Sequence, residues 1–439
     1  MIEKEKEKEE NNEREYFDFG DSSLIITNDR EGFLEKIISP KIVRYNYEKN
    51  LVNVGIDLYK RKLFSISFSD AQRILILGKT GSGKTLLMRG IFLDRCYRSE
   101  VLPIVLTDLK PEFFSSSKPA QEKFHKKYLQ DEHPEGLPLI VYYPKCFEKF
   151  IPEYENYLNI IRGFDIEPIP ISISFDKLTL PDFITLIGRD LSEAQKSAIE
   201  EVFKKKSMRL IKDIDELKKE INKLEVFDQK TKKILIMNIQ NLIDYHILDE
   251  KYNFDIIKDI NQNKICILSL GGYVSLGESR YFDYVSAIVA VFLREILAGK
   301  MMGKIHKTKK LVLLIDEASN FVPPEGDISS KREILKCLDL GRIYSISMVF
   351  STQVLRRIHV SVFEQSNYIF LASNIDIDVA TEVFKRTQLL PGVEVNQYKK
   401  NVLEIFSNLR RYQWLVIDRE MKRYNFVKPL TPLSHHLEE

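Results

Sequence analysis

From Arg73 onward the chain alternates short, almost uninterrupted apolar runs with longer helical stretches. The runs fall at Ile74 to Leu77, Ile104 to Thr107, Leu139 to Tyr143, Ile265 to Leu270, Leu311 to Ile315, Ile346 to Ser351 and Tyr368 to Leu371. A strand that is apolar at successive positions must be covered on both faces. The pattern therefore predicts an α/β fold, one largely parallel sheet flanked by helices. Before Arg73 the character is different: Leu24-Ile25-Ile26 and Leu63 to Phe68, bounded by Asn, Asp and Gly, predict a short β-rich element over 16–70. Near the other end, Gln413 to Ile417 and Tyr424 to Val427 predict a terminal hairpin.

A long stretch separates the third apolar run from the fourth. From Leu191 to Ile260 it is rich in Lys and Glu, has almost no Gly or Pro, and repeats its apolar residues with helical spacing, so it reads as a helical insertion over 191–261. Within it Leu210, Ile214, Leu217, Ile221 and Leu224 recur at four-three spacing. Two heptads are too few for a coiled coil, and a helical hairpin packed on itself is the expected outcome. The core is then 71–190 and 262–390, preceded by a charged disordered tail over 1–15 and followed by a C-terminal hairpin and tail over 391–439.

Composition narrows the function. With 439 residues, 44% hydrophobic and 30% charged, the chain can bury a large core, and 66 basic against 64 acidic residues exclude a globally basic coat for nucleic acid while leaving room for a local basic channel. The four cysteines, Cys96, Cys146, Cys266 and Cys337, form no C-x-x-C pair, which argues against a zinc ribbon or a secreted disulfide framework and for a reducing cytoplasm. No histidine spacing fits a metal held by side chains alone. The start, MIEKEKEKEENNERE, has no apolar core of a signal peptide, and the apolar stretch Ala287 to Leu293 is cut by Arg294 and Glu295, short of the roughly 18 residues a membrane span needs. No membrane association is expected.

The strongest local signal is Gly78-Lys79-Thr80-Gly81-Ser82-Gly83-Lys84-Thr85, a match to G-x-x-x-x-G-K-[ST]. It sits between an apolar run and an amphipathic helix, the strand-loop-helix that the motif needs. Its glycines let backbone N–H groups turn toward phosphate oxygens, and the helix N-terminus adds partial positive charge. Lys84 is expected to reach the β and γ phosphates of ATP, and the Thr85 hydroxyl to ligate Mg²⁺. Leu311 to Ile315 ends in Asp316 and Glu317, which a central strand would deliver to the carboxyl edge of the sheet. Asp316 would hold the Mg²⁺ shell and Glu317 would orient or deprotonate the attacking water. The run ending Ser351-Thr352-Gln353 offers Gln353 as a γ-phosphate sensor or a water-positioning group.

In their order, these blocks resemble the HerA/FtsK superfamily of P-loop DNA-pumping ATPases, its archaeal HerA-like branch in particular. GKTGSGKT resembles the family's phosphate loop, and Asp108-Leu109-Lys110-Pro111-Glu112-Phe113 is similar to its D-P-H-G-E-Y type block. LLIDEASNFVPP resembles the D-E-A-H-R-F-L-P block, and Gly341-Arg342-Ile343-Tyr344 followed by Ser351-Thr352-Gln353 resembles G-R-K-Y…[ST]-Q. The resemblance implies a homohexameric ring with ATP between subunits and double-stranded DNA in the pore. It implies an ATPase coupled to translocation or unwinding, with the ATPase of a conjugation, secretion or viral packaging assembly as the alternative. By position Arg342 is the candidate cation supplied across the subunit interface, with Arg73 behind it, and Glu112 matches an acid near the nucleotide. Pro111, Ser319, Asn320, Val354 and Leu355 depart from the family's blocks. The stretch before the core is also too short for the N-terminal barrel that docks a nuclease in HerA proteins, so no nuclease partner is expected. Three basic groups are further candidates for contact with DNA: the Lys304, Lys307, Lys309, Lys310 cluster, Lys331-Arg332, and Arg356-Arg357.

Overall fold

The computed structural model describes residues 16–18, 23–25, 48–107, 110–120, 135–187, 191–205, 214–225, 227–271, 279–390, 395–430 and 432–435. The charged tail 1–15, Leu210 of the apolar series, and Asp108 and Leu109 of the second block lie outside the described residues.

All seven apolar runs are strands of one twelve-stranded sheet. Its members are β1 Leu51–Asp57, β2 Lys62–Ser67, β3 Arg73–Leu77, β4 Val101–Thr107, β5 Leu139–Pro144, β6 Ile169–Ile171, β7 Ile265–Ser269, β8 Lys310–Ile315, β9 Ile346–Thr352, β10 Tyr368–Ala372, β11 Trp414–Asp418 and β12 Arg423–Pro429. They lie in the order β2-β1-β12-β11-β10-β3-β9-β8-β4-β7-β5-β6. From β10 to β6 every ladder is parallel. Every residue of β4, β7 and β9 is buried, because helices cover both faces of this half. From β10 to β2 every ladder is antiparallel. The N-terminal β element and the C-terminal hairpin thus meet: β12 pairs with β1, Val427 opposite Asp57, and together they form a wing on the parallel half. A separate ribbon pairs Tyr16–Asp18 with Ser23–Ile25. Strand β6 escapes the apolar-run reading because it is three residues long with Pro170 at its centre, which only an edge accepts.

The helix after β3, here α1, begins as Lys84–Leu87, widens to π-helical turns over Met88–Arg95 and ends as Cys96–Arg98. It buries Arg89, Asp94 and Arg95. Asp94 accepts from Arg98 Nε at 2.6 Å and from the Ser434 backbone N–H at 2.7 Å, and Arg89 donates to the His435 carbonyl, so residues 432–435 are laid along this helix. A one-turn helix, α2 Pro111–Ser115, follows β4. The insertion supplies α4 Glu193–Lys205, α5 Ile214–Asn222 and α6 Gln229–Asp244, which pack on one another and on α3 Leu180–Ile187, just before the expected start of the insertion. Leu217, Ile221 and Leu224 are buried inside that cluster with Leu235, Ile239 and Leu242, so the four-three series is an internal seam.

The cluster is tied to the core where α3 meets α7 Ser279–Met301 and α8 Ser329–Tyr344. There the buried Asp182 carboxylate takes Arg294 at 2.8 Å and Arg332 at 3.3 Å.

Candidate active site

Strand β3 ends at the carboxyl edge of the sheet and runs directly into the glycine-rich loop 78–85. Two of its glycines are required by space. A Cβ on Gly78 would stand 2.6 Å from Ser82 Oγ and 2.7 Å from Ala372 Cβ. One on Gly83, whose φ is 89°, would stand 2.9 Å from the Tyr412 ring. Lys84 opens α1 and turns back into the loop, donating from Nζ to the Gly78 carbonyl at 2.7 Å and the Lys79 carbonyl at 3.1 Å. Ser82 Oγ is buried without a hydrogen-bond partner. A cradle with an ammonium folded into it and an unpartnered hydroxyl fits an anion such as a phosphate chain. Burial lowers the Lys84 pKa, and Lys110 lowers it further, while Glu317 and Asp316 pull it up.

Strand β8 lies between β9 and β4 and delivers Asp316 and Glu317 to the same edge. Asp316 is fully buried. Ser351 donates its hydroxyl to Asp316 Oδ1 at 2.5 Å and accepts the Glu317 backbone N–H at 3.3 Å, so the end of β9 fixes the end of β8. Glu317 is half-buried and has φ 46°, a left-handed backbone that costs a non-glycine residue about 1 kcal/mol or more and that collects at functional sites. Gln353 bridges the two halves of the site: its Nε2 donates to Glu317 Oε1 and its Oε1 accepts from Thr80 Oγ1, both at 3.2 Å.

The structure thus brings Lys84, Thr85, Asp316, Glu317, Gln353 and Thr80 to one place, although they come from three widely separated segments. A Mg²⁺ ion would be held by the Thr85 hydroxyl and the Asp316 carboxylate together with phosphate oxygens. The two protein groups fit that task, because a single cation, the Lys110 ammonium, already contacts both: it donates to Asp316 Oδ2 and lies 3.5 Å from Thr85 Oγ1. Among the described residues no group of three His, Cys, Asp or Glu side chains forms a metal cage on its own.

Two further expected site residues make none of these direct contacts, Glu112 beside Lys110 and Arg342 at the far edge of the sheet. Glu112, in α2, has one carboxylate oxygen buried and unpartnered, and its charge acts on Lys110 and on the buried Arg89. Burial pushes Arg89 down to about 10 against the pull of Asp94 and Glu112. Arg342 lies exposed in the last turn of α8, just before β9 begins, and therefore at the sheet edge opposite its own phosphate loop. Arg73, at the same edge, is committed to the Leu338 carbonyl at 3.0 Å from Nε and 2.6 Å from Nη2.

Most of the basic candidates for DNA contact are likewise engaged within the chain. Lys309 donates to the Ile260 carbonyl and Lys310 to that of Ser69, while Lys331 binds the Pro324 and Gly326 carbonyls. Arg332 meets Asp182 and Asp327, and Arg356 meets Glu382.

Residues 65–319 match the family described as "Helicase HerA, central domain". The chain belongs to that HerA family. Its fold is that of P-loop NTPases, and among solved structures it is similar to VirB4 of Thermoanaerobacter pseudethanolicus. That likeness has 14% identity and a TM-score of 0.51, covering 88% of this chain and 97% of that one. It is also similar to the plasmid coupling protein TrwB in complex with a non-hydrolysable GTP analogue, with 12% identity and a TM-score of 0.50, covering 97% of each chain. No curated protein matches it in sequence.

In this HerA-family chain two residues at the site were not among the expected site residues. Lys110 stands within the second family-like block, just before a proline, and its contact across 206 positions is what brings it to the site. Tyr412, with φ 64°, presses its ring on Gly83 from the turn before β11. No described helix is long and apolar enough to cross a membrane.

Proposed function

We propose that this HerA-family ATPase is a motor that hydrolyses ATP to translocate along or unwind double-stranded DNA as a hexameric ring in the cytoplasm. The observation that carries the reading is the convergence of Glu317, Gln353 and Thr80 beside the Lys84 cradle. Glu317 is placed to hold and deprotonate a water at the γ-phosphate, and Gln353 links that carboxylate to the phosphate loop, so a change at the loop is felt at the base. Lys84 would move from the loop carbonyls to the phosphates. When bound, Mg²⁺ would neutralise phosphate charge between Thr85 and Asp316. Charge that builds on the transferring group calls for one more cation, and an exposed Arg342 on the far edge can serve only a neighbouring subunit's site. Next to it Ile343 is 73% exposed, an apolar group suited to a subunit contact. The four described cysteines are buried and unpaired, in keeping with a reducing compartment.

The test measures oligomer mass and ATP turnover with and without duplex DNA at two salt concentrations. The motor reading expects a six-fold assembly, turnover raised by duplex DNA, and DNA binding that weakens steeply with salt. Turnover indifferent to DNA of every form would remove the reading. In its place would stand the ATPase of a conjugation, secretion or packaging assembly, a reading supported by the shared fold with a plasmid coupling protein.

A further inference from the structure

Strand β4 ends beside β8, Leu106 opposite Ile315, so the residues that follow each strand emerge side by side at the phosphate edge. Three positions beyond the end of β4, Lys110 is extended, with φ −131° and ψ 98°, as the proline after it demands. From there its side chain reaches Asp316 Oδ2 and Thr85 Oγ1. The other Asp316 oxygen is taken by the Ser351 hydroxyl. Of the two oxygens of this fully buried carboxylate, the one that Ser351 does not hold is therefore taken by an ammonium.

Mg²⁺ binds oxygen at about 2.0–2.1 Å and tolerates little distortion. An ion bound to both Thr85 and Asp316 would coincide with the space that Nζ fills, and two cations so close in a partly buried site repel strongly. The site can hold one or the other.

On the reading that this is an ATPase site, we propose that Lys110 is a built-in counter-ion: it occupies the magnesium position while the site is empty, and has to be displaced before Mg²⁺ and nucleotide bind productively. In the empty site it keeps a buried carboxylate from standing unpaired, which would otherwise be costly. Lys110 stands immediately before α2, and the charge of Glu112 in that helix already acts on it, so displacing Lys110 couples nucleotide loading to the start of α2. Lys110 is a positioning residue in this scheme, since it acts on the reaction through Asp316 and Thr85.

The experiment titrates free Mg²⁺ against binding of a fluorescent ATP analogue to the full chain, comparing the wild type with Lys110→Gln and Lys110→Arg. In parallel, Mn²⁺ binding without nucleotide is followed by electron paramagnetic resonance. Removing the competing charge is expected to lower the Mg²⁺ concentration for half-maximal binding by about tenfold or more, the scale of coupling between close charge pairs. Lys110→Gln should also take up Mn²⁺ in the empty site, where the wild type takes up little, and Lys110→Arg should behave as the wild type does. An unchanged or raised Mg²⁺ requirement in Lys110→Gln overturns the proposal. So does loss of nucleotide binding at every Mg²⁺ concentration, which would make Lys110 a phosphate contact. Tight Mn²⁺ binding to the empty wild-type site would overturn it without any variant. A wild type that binds no nucleotide at all would instead sink the ATPase reading and leave the Lys110–Asp316 pair a structural ion pair.

Discussion

Glu317 and Asp316 are adjacent in sequence and differ in every physical respect. Asp316 is fully buried and its carboxylate is held by Ser351 and Lys110, whereas Glu317 is half-buried on a left-handed backbone and its carboxylate accepts from Gln353 at 3.2 Å. A buried carboxylate fixed at both oxygens suits a metal anchor; a half-solvated one on a strained turn suits a base. Replacing Glu317 by Gln is expected to leave ATP binding intact and to cut turnover by about 10²–10⁴, the usual contribution of a positioned base, as steady-state kinetics against a binding titration would show. Gly83→Ala is expected to abolish nucleotide binding, because the new Cβ meets the Tyr412 ring at 2.9 Å on a backbone with φ 89°. A calorimetric titration that finds wild-type affinity would refute this. Lys84, Thr85, Asp316, Glu317 and Gln353 were legible in the sequence because each is defined by its immediate neighbours: a glycine pattern, or the polar end of an apolar run. Lys110 and Tyr412 were not legible. The block around Lys110 does not single out the lysine, nothing adjacent to Tyr412 marks it, and Asp316 and Gly83, which they meet, lie hundreds of positions away.

Among the elements, α3 determines how the insertion sits on the core. Its Asp182 is 1% exposed and is neutralised by Arg294 of α7 and Arg332 of α8. Burial would raise the Asp182 pKa, but the Arg294 charge and the hydrogen bonds from Ser329 and Thr179 outweigh it and hold the carboxyl below its ordinary value. A group whose folded pKa is depressed stabilises the fold fully above its unfolded pKa, and that contribution is lost as pH falls through the folded value. Asp182→Asn should therefore cost about 3–5 kcal/mol at neutral pH, the range for breaking one side of a buried pair, and the difference from the wild type should shrink in acid. Denaturant melts at neutral and acidic pH would check both statements, and equal stabilities at neutral pH would show the arginines to be adequately solvated without it. The helical periodicity announced the helices of 191–261 but not α3. The ion pairs that seat them did not show, because charged residues in and around the insertion are plentiful and only packing selects Asp182 among them.

For the whole molecule, the notable feature is that one sheet carries both the chemistry and its periphery. The parallel half ends in the phosphate loop, the acidic pair and Gln353; the antiparallel wing brings Tyr412 to the loop through the turn before β11 and carries β1 and β2 at its edge. The opposite edge presents Arg342 and Ile343 away from their own site. If the proposed ring forms, Arg342→Ala should retain nucleotide binding and assembly, lose turnover by about 10³ or more, and regain activity when mixed into rings with Glu317→Gln subunits, since each supplies what the other lacks. Mixed rings that stay inactive would place the missing cation elsewhere.

By itself the sequence determined the elements and the phosphate loop: burial on both faces forces apolar runs, a helix forces its own spacing, and a phosphate cradle forces glycines, all within a few neighbouring residues. Only the tertiary structure decided that the two terminal hairpins complete the sheet, that Arg342 belongs to the far edge, and that Lys110 stands on Asp316. Those outcomes depend on strand order and on electrostatic pairing between segments remote in the chain, and no local pattern encodes which remote charge will arrive.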